Sequence, residues 1–269
     1  MNKPFLGGLV SASLLFALPA ASAQIITQWN FNSVVPDGST STGSLLPSIG
    51  AGTATVIGGV SSSFAAGSPR DGAADNSAWS LASWPGQGTA SGTAGALFRV
   101  STEGFTDAIQ ISFDLRQSAT ASERFQVEAS LDGVNFSALS GGIASWGATG
   151  NNVSTSFDSS GLFINTVAAS NQAFVQSITY TFAVDSGYEN NANFAFRIVS
   201  VFEDGSYDAA GASSNYGTTG TVRLDMVTVS AVGSAAVPEP ATNALLMGAA
   251  AAGVVLWRRR RARAALTSA

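Results

Sequence analysis

The sequence predicts an all-β fold, a β-sandwich of the jelly-roll type, for residues 24–232. Three observations lead to this prediction. Apolar and polar residues alternate with a period of two in segment after segment, which is typical of half-buried strands. No segment has the period of a helix, and turn residues separate the segments. About eight to eleven strands are expected for such a sandwich.

The first third of this region is predicted to hold one clear strand and then short edge strands. Residues 25–31 open the domain with a strand-like run. Residues 39–66 are rich in Ser, Thr, Gly and Ala, which indicates loops and short edge strands such as 53–57. Residues 66–95 are predicted to be mostly loop.

The strongest strand signals follow. Residues 109–116 and 124–131 alternate without a break. The pair Asp132-Gly133 then predicts a tight turn into 134–139, and so a hairpin.

Three further segments, 178–184, 192–202 and 221–232, complete the predicted sheets. In the last of these segments the alternation of apolar and polar residues shifts by one position. Leu224 and Val227 are expected to lie on the same face, although they are an odd number of residues apart. A β-bulge between Asp225 and Val227 is therefore predicted.

The N-terminal residues 1–23 are predicted to be a secretory signal peptide. Lys3 supplies the positive charge, residues 14–18 form the densest apolar run, and Ala21-Ser22-Ala23 has the small residues of a cleavage site, so the mature chain would begin at Gln24. A transmembrane helix is less favoured because the run is short and diluted by Gly and Ser.

The C-terminal region has three parts in a fixed order. Residues 233–240 form a linker that ends in Pro238, Glu239 and Pro240. Residues 241–257 carry no charge and are predicted to be a transmembrane helix, although they fall short of the roughly 20 residues that such a helix needs. Residues 258–269 form a basic tail, whose arginines predict a cytoplasmic location.

This three-part pattern resembles the PEP-CTERM sorting signal of Gram-negative envelope proteins. The resemblance covers 27 residues, 237–263. It implies that Pro238, Glu239 and Pro240 are recognised by an exosortase, a membrane-embedded cysteine transpeptidase. Membrane anchoring during sorting, followed by transfer to the cell surface or extracellular matrix of a polysaccharide-producing bacterium, is implied as well. The residues that match the basic stop are Arg258, Arg259, Arg260 and Arg261.

The charge and composition of the exported part exclude several classes of function. Residues 24–237 hold six arginines, no lysine and sixteen carboxylates, a net charge of −10, which argues against nucleic acid as a partner. The whole chain has no histidine and no cysteine, which excludes catalytic triads, thiol nucleophiles and zinc sites with imidazole or thiolate ligands. The composition still permits two carboxylates to act as acid and base in glycoside hydrolysis.

A second resemblance concerns the predicted β domain. Its segments 29–32, 113–116, 130–133, 194–198 and 223–225 resemble lectin-like and carbohydrate-binding-module-like jelly rolls. That resemblance implies side-by-side pairing of the first and last strands, and extracellular polysaccharide as a partner. Trp79 and Trp84 are candidates for a glycan-stacking platform, and the alternative is that they anchor the core or a loop.

Calcium is the one cofactor that the sequence leaves open, as a structural ion. Asp204, Asp208 and Asp225 are the candidate ligands, because calcium prefers carboxylate and carbonyl oxygens. The alternative is that such residues simply form turns at strand ends.

These observations favour an exported, non-catalytic envelope or matrix protein that carries a PEP-CTERM sorting and anchoring signal. A carbohydrate-binding module for extracellular polysaccharide is the first alternative, and a carboxylate-pair glycoside hydrolase is the second.

Overall fold

A computed structural model describes residues 23–168 and 172–233. The described residues contain fourteen strands and no helix, in two antiparallel sheets of seven strands each. No helix in this part of the chain could cross a membrane. The predicted signal peptide up to Ser22, linker from 234 onward, sorting motif, transmembrane helix and basic tail all lie outside the described residues. The prediction of an all-β sandwich is confirmed.

Sheet 1 has the strand order β3-β4-β14-β6-β12-β9, and β1 also pairs with β14. Its strands are β1 (Ala23–Trp29), β3 (Ser61–Ala66), β4 (Ser77–Ala82), β6 (Ala108–Gln117), β9 (Ile143–Ser145), β12 (Val175–Thr181) and β14 (Val222–Val232).

Sheet 2 has the strand order β10-β11-β7-β13-β5-β2, and β8 also pairs with β7. Its strands are β2 (Thr53–Ile57), β5 (Gly95–Arg99), β7 (Arg124–Ser130), β8 (Ser137–Ala138), β10 (Ser154–Phe157), β11 (Leu162–Thr166) and β13 (Ala195–Ser200). The hairpin predicted at Asp132-Gly133 is present and joins β7 to β8.

Strand β14 organises sheet 1. It pairs with β6 along its whole length, with β4 through residues 222–224 and with β1 through residues 227–232. The change of neighbour coincides with a bulge between Asp225 and Thr228, where Met226 has a φ of 48°. The predicted bulge and the predicted pairing of first and last strands are both confirmed, and Ala23 lies opposite Val232.

Aromatic side chains fill the space between the sheets. Phe98 lies at their centre, stacked on Phe196 with 4.9 Å between ring centroids. Trp29 and Trp79 pack edge-on against the Phe98 ring, with 5.2 and 5.9 Å between ring centroids. Burial of several large aromatic rings supplies the stability that disulfides provide in other exported domains.

One prediction about the sheets needs correction. Residues 66–95 are mostly loop, as predicted, although they also contain β4, which is buried along nearly its whole length. The predicted strand count was too low, since β4, β5 and the short strands from β9 to β11 were missed. A strand buried on both faces does not alternate, and strands of three to five residues give too few positions for a period to show.

Candidate functional site

The two tryptophans predicted to stack on glycans lie in the core. Trp79 is fully buried and Trp84 is 4% exposed. Trp84 packs edge-on against Phe125 at 5.5 Å, as Trp79 does against Phe98. Neither ring has a face on which a sugar could stack, so the glycan-stacking prediction is wrong and the core alternative is correct.

Replacing Trp79 by alanine should therefore cost stability. We expect the free energy of unfolding to fall by about 3–5 kcal/mol, as for other buried aromatic residues, because a cavity is left between the sheets. Urea denaturation measures this. Trp146, which is 41% exposed, is the matched control, and its change to alanine should cost less than about 1 kcal/mol. Equal losses would contradict the assignment of Trp79 to the core.

Asp225 is the most unusual of the predicted site residues. It follows Leu224 at the bulge of β14 and lies opposite Asp114 of β6, on the face of sheet 1 that points away from the core. Both carboxylates are nevertheless fully buried. The segment 67–76, between β3 and β4, covers them: the Ser68 amide donates to Asp225 Oδ2 at 2.6 Å, and Arg70 lies over Asp114.

The negative charge of the buried Asp114 carboxylate is fully balanced in this site. The Arg70 guanidinium contacts both carboxylate oxygens, through Nη2 at 2.9 Å and Nε at 3.0 Å. The Ser177 amide adds a hydrogen bond of 2.7 Å. Such a bidentate pair with a third donor satisfies a buried charge.

Asp225 has no cationic partner among the described residues. Its two hydrogen bonds come from the backbone amides of Ser68 and Met226. Burial, aided by the nearby charges of Asp71 and Asp114, raises the pKa of Asp225 to about 8 against the opposing effect of those two amides. A buried carboxylate without a counter-charge either holds a proton or needs a cation.

A second oxygen beside Asp225 is also unsatisfied. Asn76 donates from Nδ2 to the carbonyls of Ser68 and Asp71, but its buried Oδ1 has no donor. Gly67 lies between the two groups, and a Cβ there would come within 1.9 Å of Asn76 Oδ1 and 2.6 Å of Asp225 Oδ2. The site thus gathers oxygen acceptors, the ligand type that calcium prefers. Calcium at Asp225 stays a prediction.

The other two calcium candidates are separated by the structure. Asp208 lies with Glu203 and Glu123, and oxygens of the three carboxylates are within 4.8 Å of one another. Asp204 instead occupies a tight turn with Gly205, at φ values of 48° and 84°, closed by hydrogen bonds between Glu203 and Ser206. Turn formation accounts for Asp204.

Glu123 was missed by the sequence prediction because it lies 80 residues before Glu203 and directly precedes β7. Arg124, its neighbour in sequence, forms an ion pair with Glu203. That pair already offsets part of the negative charge of the cluster.

Neither the buried pair on sheet 1 nor the surface pocket near Arg99 offers the two open carboxylates that glycoside hydrolysis uses. Asp114 and Asp225 are sealed beneath segment 67–76. A surface pocket of about 370 Å³ lies near Arg99 and Asn193, but Asp132 is the one carboxylate that lines it. Asp132 accepts hydrogen bonds from Asn135, Val134 and Ser130, which hold its pKa well below the ordinary value. Asp132 therefore closes its own hairpin turn.

Comparison with known proteins gives one match of family type. Residues 236–261 match the PEP-CTERM protein-sorting motif. This signal implies an exported protein that is anchored in the membrane for sorting and processed by an exosortase. No curated protein matches the chain by sequence.

Three solved structures are similar to the chain. The arabinose-bound MgGH51 α-L-arabinofuranosidase is 13% identical over 76% of this chain, with a TM-score of 0.36, and the chain spans 26% of its length. A Bacteroides thetaiotaomicron protein proposed to bind sugar is 12% identical over 66% of this chain and 87% of its own, with a TM-score of 0.34. The K1 cleaved adhesin domain of Lys-gingipain from Porphyromonas gingivalis is 18% identical over 68% of this chain and all of its own, with a TM-score of 0.32.

Proposed function

We propose that the chain is a non-catalytic protein of the bacterial cell surface or extracellular matrix, delivered there by exosortase processing of its C-terminal signal. The sorting motif at residues 236–261 is the observation that carries this proposal. The division into signal peptide (1–23), β-sandwich (24–232), linker (233–240), transmembrane helix (241–257) and basic tail (258–269) belongs to the same proposal.

The composition and the buried carboxylates support a role without catalysis. The absence of histidine and cysteine removes the commonest nucleophiles and general bases. The buried carboxylates of sheet 1, Asp114 and Asp225, are closed to any substrate. Their role is better described as holding segment 67–76 on the sheet.

Mass spectrometry of the mature protein tests the sorting step. In cells that carry an exosortase, we expect an N-terminus at Gln24 and a C-terminus near the Pro-Glu-Pro motif. In cells that lack the enzyme, the chain should extend through Ala269. A mature protein that retains Ala269 in both strains would overturn the proposal.

A further inference from the structure

Two edge strands, β2 and β3, lie on the same side of the sandwich. β3 ends the strand order of sheet 1, and β2 ends that of sheet 2. Their inner neighbours face each other across the core, because Trp79 of β4 packs on Phe98 of β5. Residues 58–60 join the two strands directly. We call β2 and β3 together, residues 53–57 and 61–66, the open edge.

The ladder between β3 and β4 leaves two residues of β3 with free backbone groups. The Gly67 amide donates to the Asn76 carbonyl at 3.0 Å, which continues this ladder and fixes its phase. Bonded and non-bonded pairs alternate in an antiparallel ladder, so the odd-numbered residues of β3 bond to β4. The N–H and C=O groups of Ser62 and Phe64 therefore point away from β4, and no described residue makes a hydrogen bond to them.

Strand β2 presents free backbone groups in the same way. The Val100 amide donates to the Phe194 carbonyl at 2.9 Å, so the even-numbered residues of β5 bond to β13. The odd-numbered residues of β5 are left for β2, and their partners in the register are the odd-numbered residues of β2. Ala54 and Val56 thus turn their N–H and C=O groups toward the open side of the sandwich.

The open edge lacks the features that usually keep an edge strand from pairing. Charged residues, prolines, bulges or a very short strand normally serve this purpose. β2 and β3 have five and six residues, regular ladders, and neither a charged residue nor a proline. The edge strands on the opposite side of the sandwich, β9 and β10, have only three and four residues. Small exposed residues at 61–63 also let another backbone approach closely.

The distribution of charge favours a second copy of the chain as the partner. Residues 38–69, which include the whole open edge, form the longest uncharged run of the exported part. That part has a net charge of −10, so two copies repel each other across most of their surfaces. They can meet at the open edge without this repulsion. A cationic partner would instead be drawn to the acidic surfaces elsewhere.

We propose that two copies of the chain pair edge to edge through β3, about a twofold axis normal to the sheets. Identical strands run antiparallel about such an axis, so the free N–H groups of one copy meet the free C=O groups of the other. β2 lies about 10 Å away in the second sheet and follows the same axis, so both sheets continue into the second copy. The half-buried ring of Phe64 is covered at this contact.

Sedimentation velocity of the chain purified from its host tests this inference. We expect a dimer whose dissociation constant rises by about tenfold or more in Ser62→Lys, because one positive charge from each copy then lies at the contact. Ser156→Lys is the matched control, since it adds the same charge at an exposed serine of β10 on the opposite edge. Its dimer should dissociate like that of the natural chain.

Hydrogen exchange locates the contact without any substitution. In the dimer, the backbone amides of Ser62 and Phe64 should exchange slowly, and dilution to the monomer should make them exchange fast. The Ser63 amide, which bonds to β4, should remain protected in both states. Thermal melting shows whether Ser62→Lys is folded, and the exchange measurement decides the question if it is not.

Three results would overturn the proposal. A chain that stays monomeric at every concentration has no second copy on this edge, and the same result is expected if the edge takes a strand of another protein. A dimer that folded Ser62→Lys leaves unchanged would be built through another surface. So would a dimer in which the Ser62 and Phe64 amides exchange fast. The inference goes beyond the proposed function, and none of these outcomes bears on C-terminal processing, which the mass measurement decides separately.

Discussion

Replacing Glu239 by alanine should stop C-terminal processing completely while leaving export intact. The change removes the charged residue between Pro238 and Pro240 and leaves the predicted signal peptide unaltered. Because the sorting motif covers residues 236–261, an exosortase that recognises Pro-Glu-Pro would no longer engage the chain. Mass spectrometry of the variant, purified from cells that carry the enzyme, should then find residues through Ala269.

The matched control for Glu239→Ala lies in the same linker. Ser234→Ala changes a small residue outside the motif and should be processed like the natural chain. Cleavage of Glu239→Ala at the natural rate would show that the glutamate is not recognised. Loss of both variants from the exported fraction would instead place the defect in export.

The second large effect concerns Asp225 and pH. In buffer with a chelator, we expect the free energy of unfolding to fall as the pH rises from about 5 to 8. The pKa of Asp225 is about 8 in the folded chain and near the ordinary value of about 3.9 when unfolded. Between these values the folded state holds a proton that the unfolded state lacks, so each pH unit costs up to about 1.4 kcal/mol.

The sign of this dependence is opposite to that of a salt-bridged aspartate. The contribution of Asp225 to the free energy of unfolding is fully present below pH 4 and is lost as the pH rises through 8. The charges that face Asp225 are Asp71 and Asp114, which oppose its ionisation, and Arg70, which is paired with Asp114. Urea denaturation at several pH values gives the slope.

Calcium should reverse the loss if it binds at Asp225. At pH 8, added calcium is then expected to raise the melting temperature, because an ion that binds only the folded state stabilises it. Asp225→Asn cannot ionise and should lose both the pH slope and the calcium response. Asp107→Asn, at an exposed position, is the matched control. A calcium response that survives in Asp225→Asn would place the ion elsewhere.

The strands that were predicted well from the sequence are those with one face toward the core and one polar face. β6, β7, β12 and β14 alternate because one face meets the core and the other meets solvent or polar side chains. β4 was missed because Ser77 to Leu81 are all buried, so no alternation remains. The bulge of β14 was predictable because its apolar residues must all face the core, and this requires the alternation to shift by one residue.

The sequence predicted Asp225 as a candidate residue, but it did not predict the buried site around it. Its burial depends on Ser68, which is 157 positions away in sequence, and on a glycine at position 67 that lets Asn76 approach. Trp79 and Trp84 show the opposite error. Two tryptophans among glycines and prolines resemble an exposed loop, but pairing of β4 with β14 draws Trp79 into the core.

The pairing of β1 with β14 has a consequence for the order of folding. Gln28 and Thr228 make a hydrogen bond across 200 positions, so sheet 1 cannot close until almost the whole domain is available. Contacts of such long range are slow to form because their loop-closure entropy precedes any gain. In a chain that emerges from a membrane N-terminus first, β1 would therefore wait without its partner strand until β14 arrives. Sheet 1 thus reaches its full set of strands only at the end of translocation.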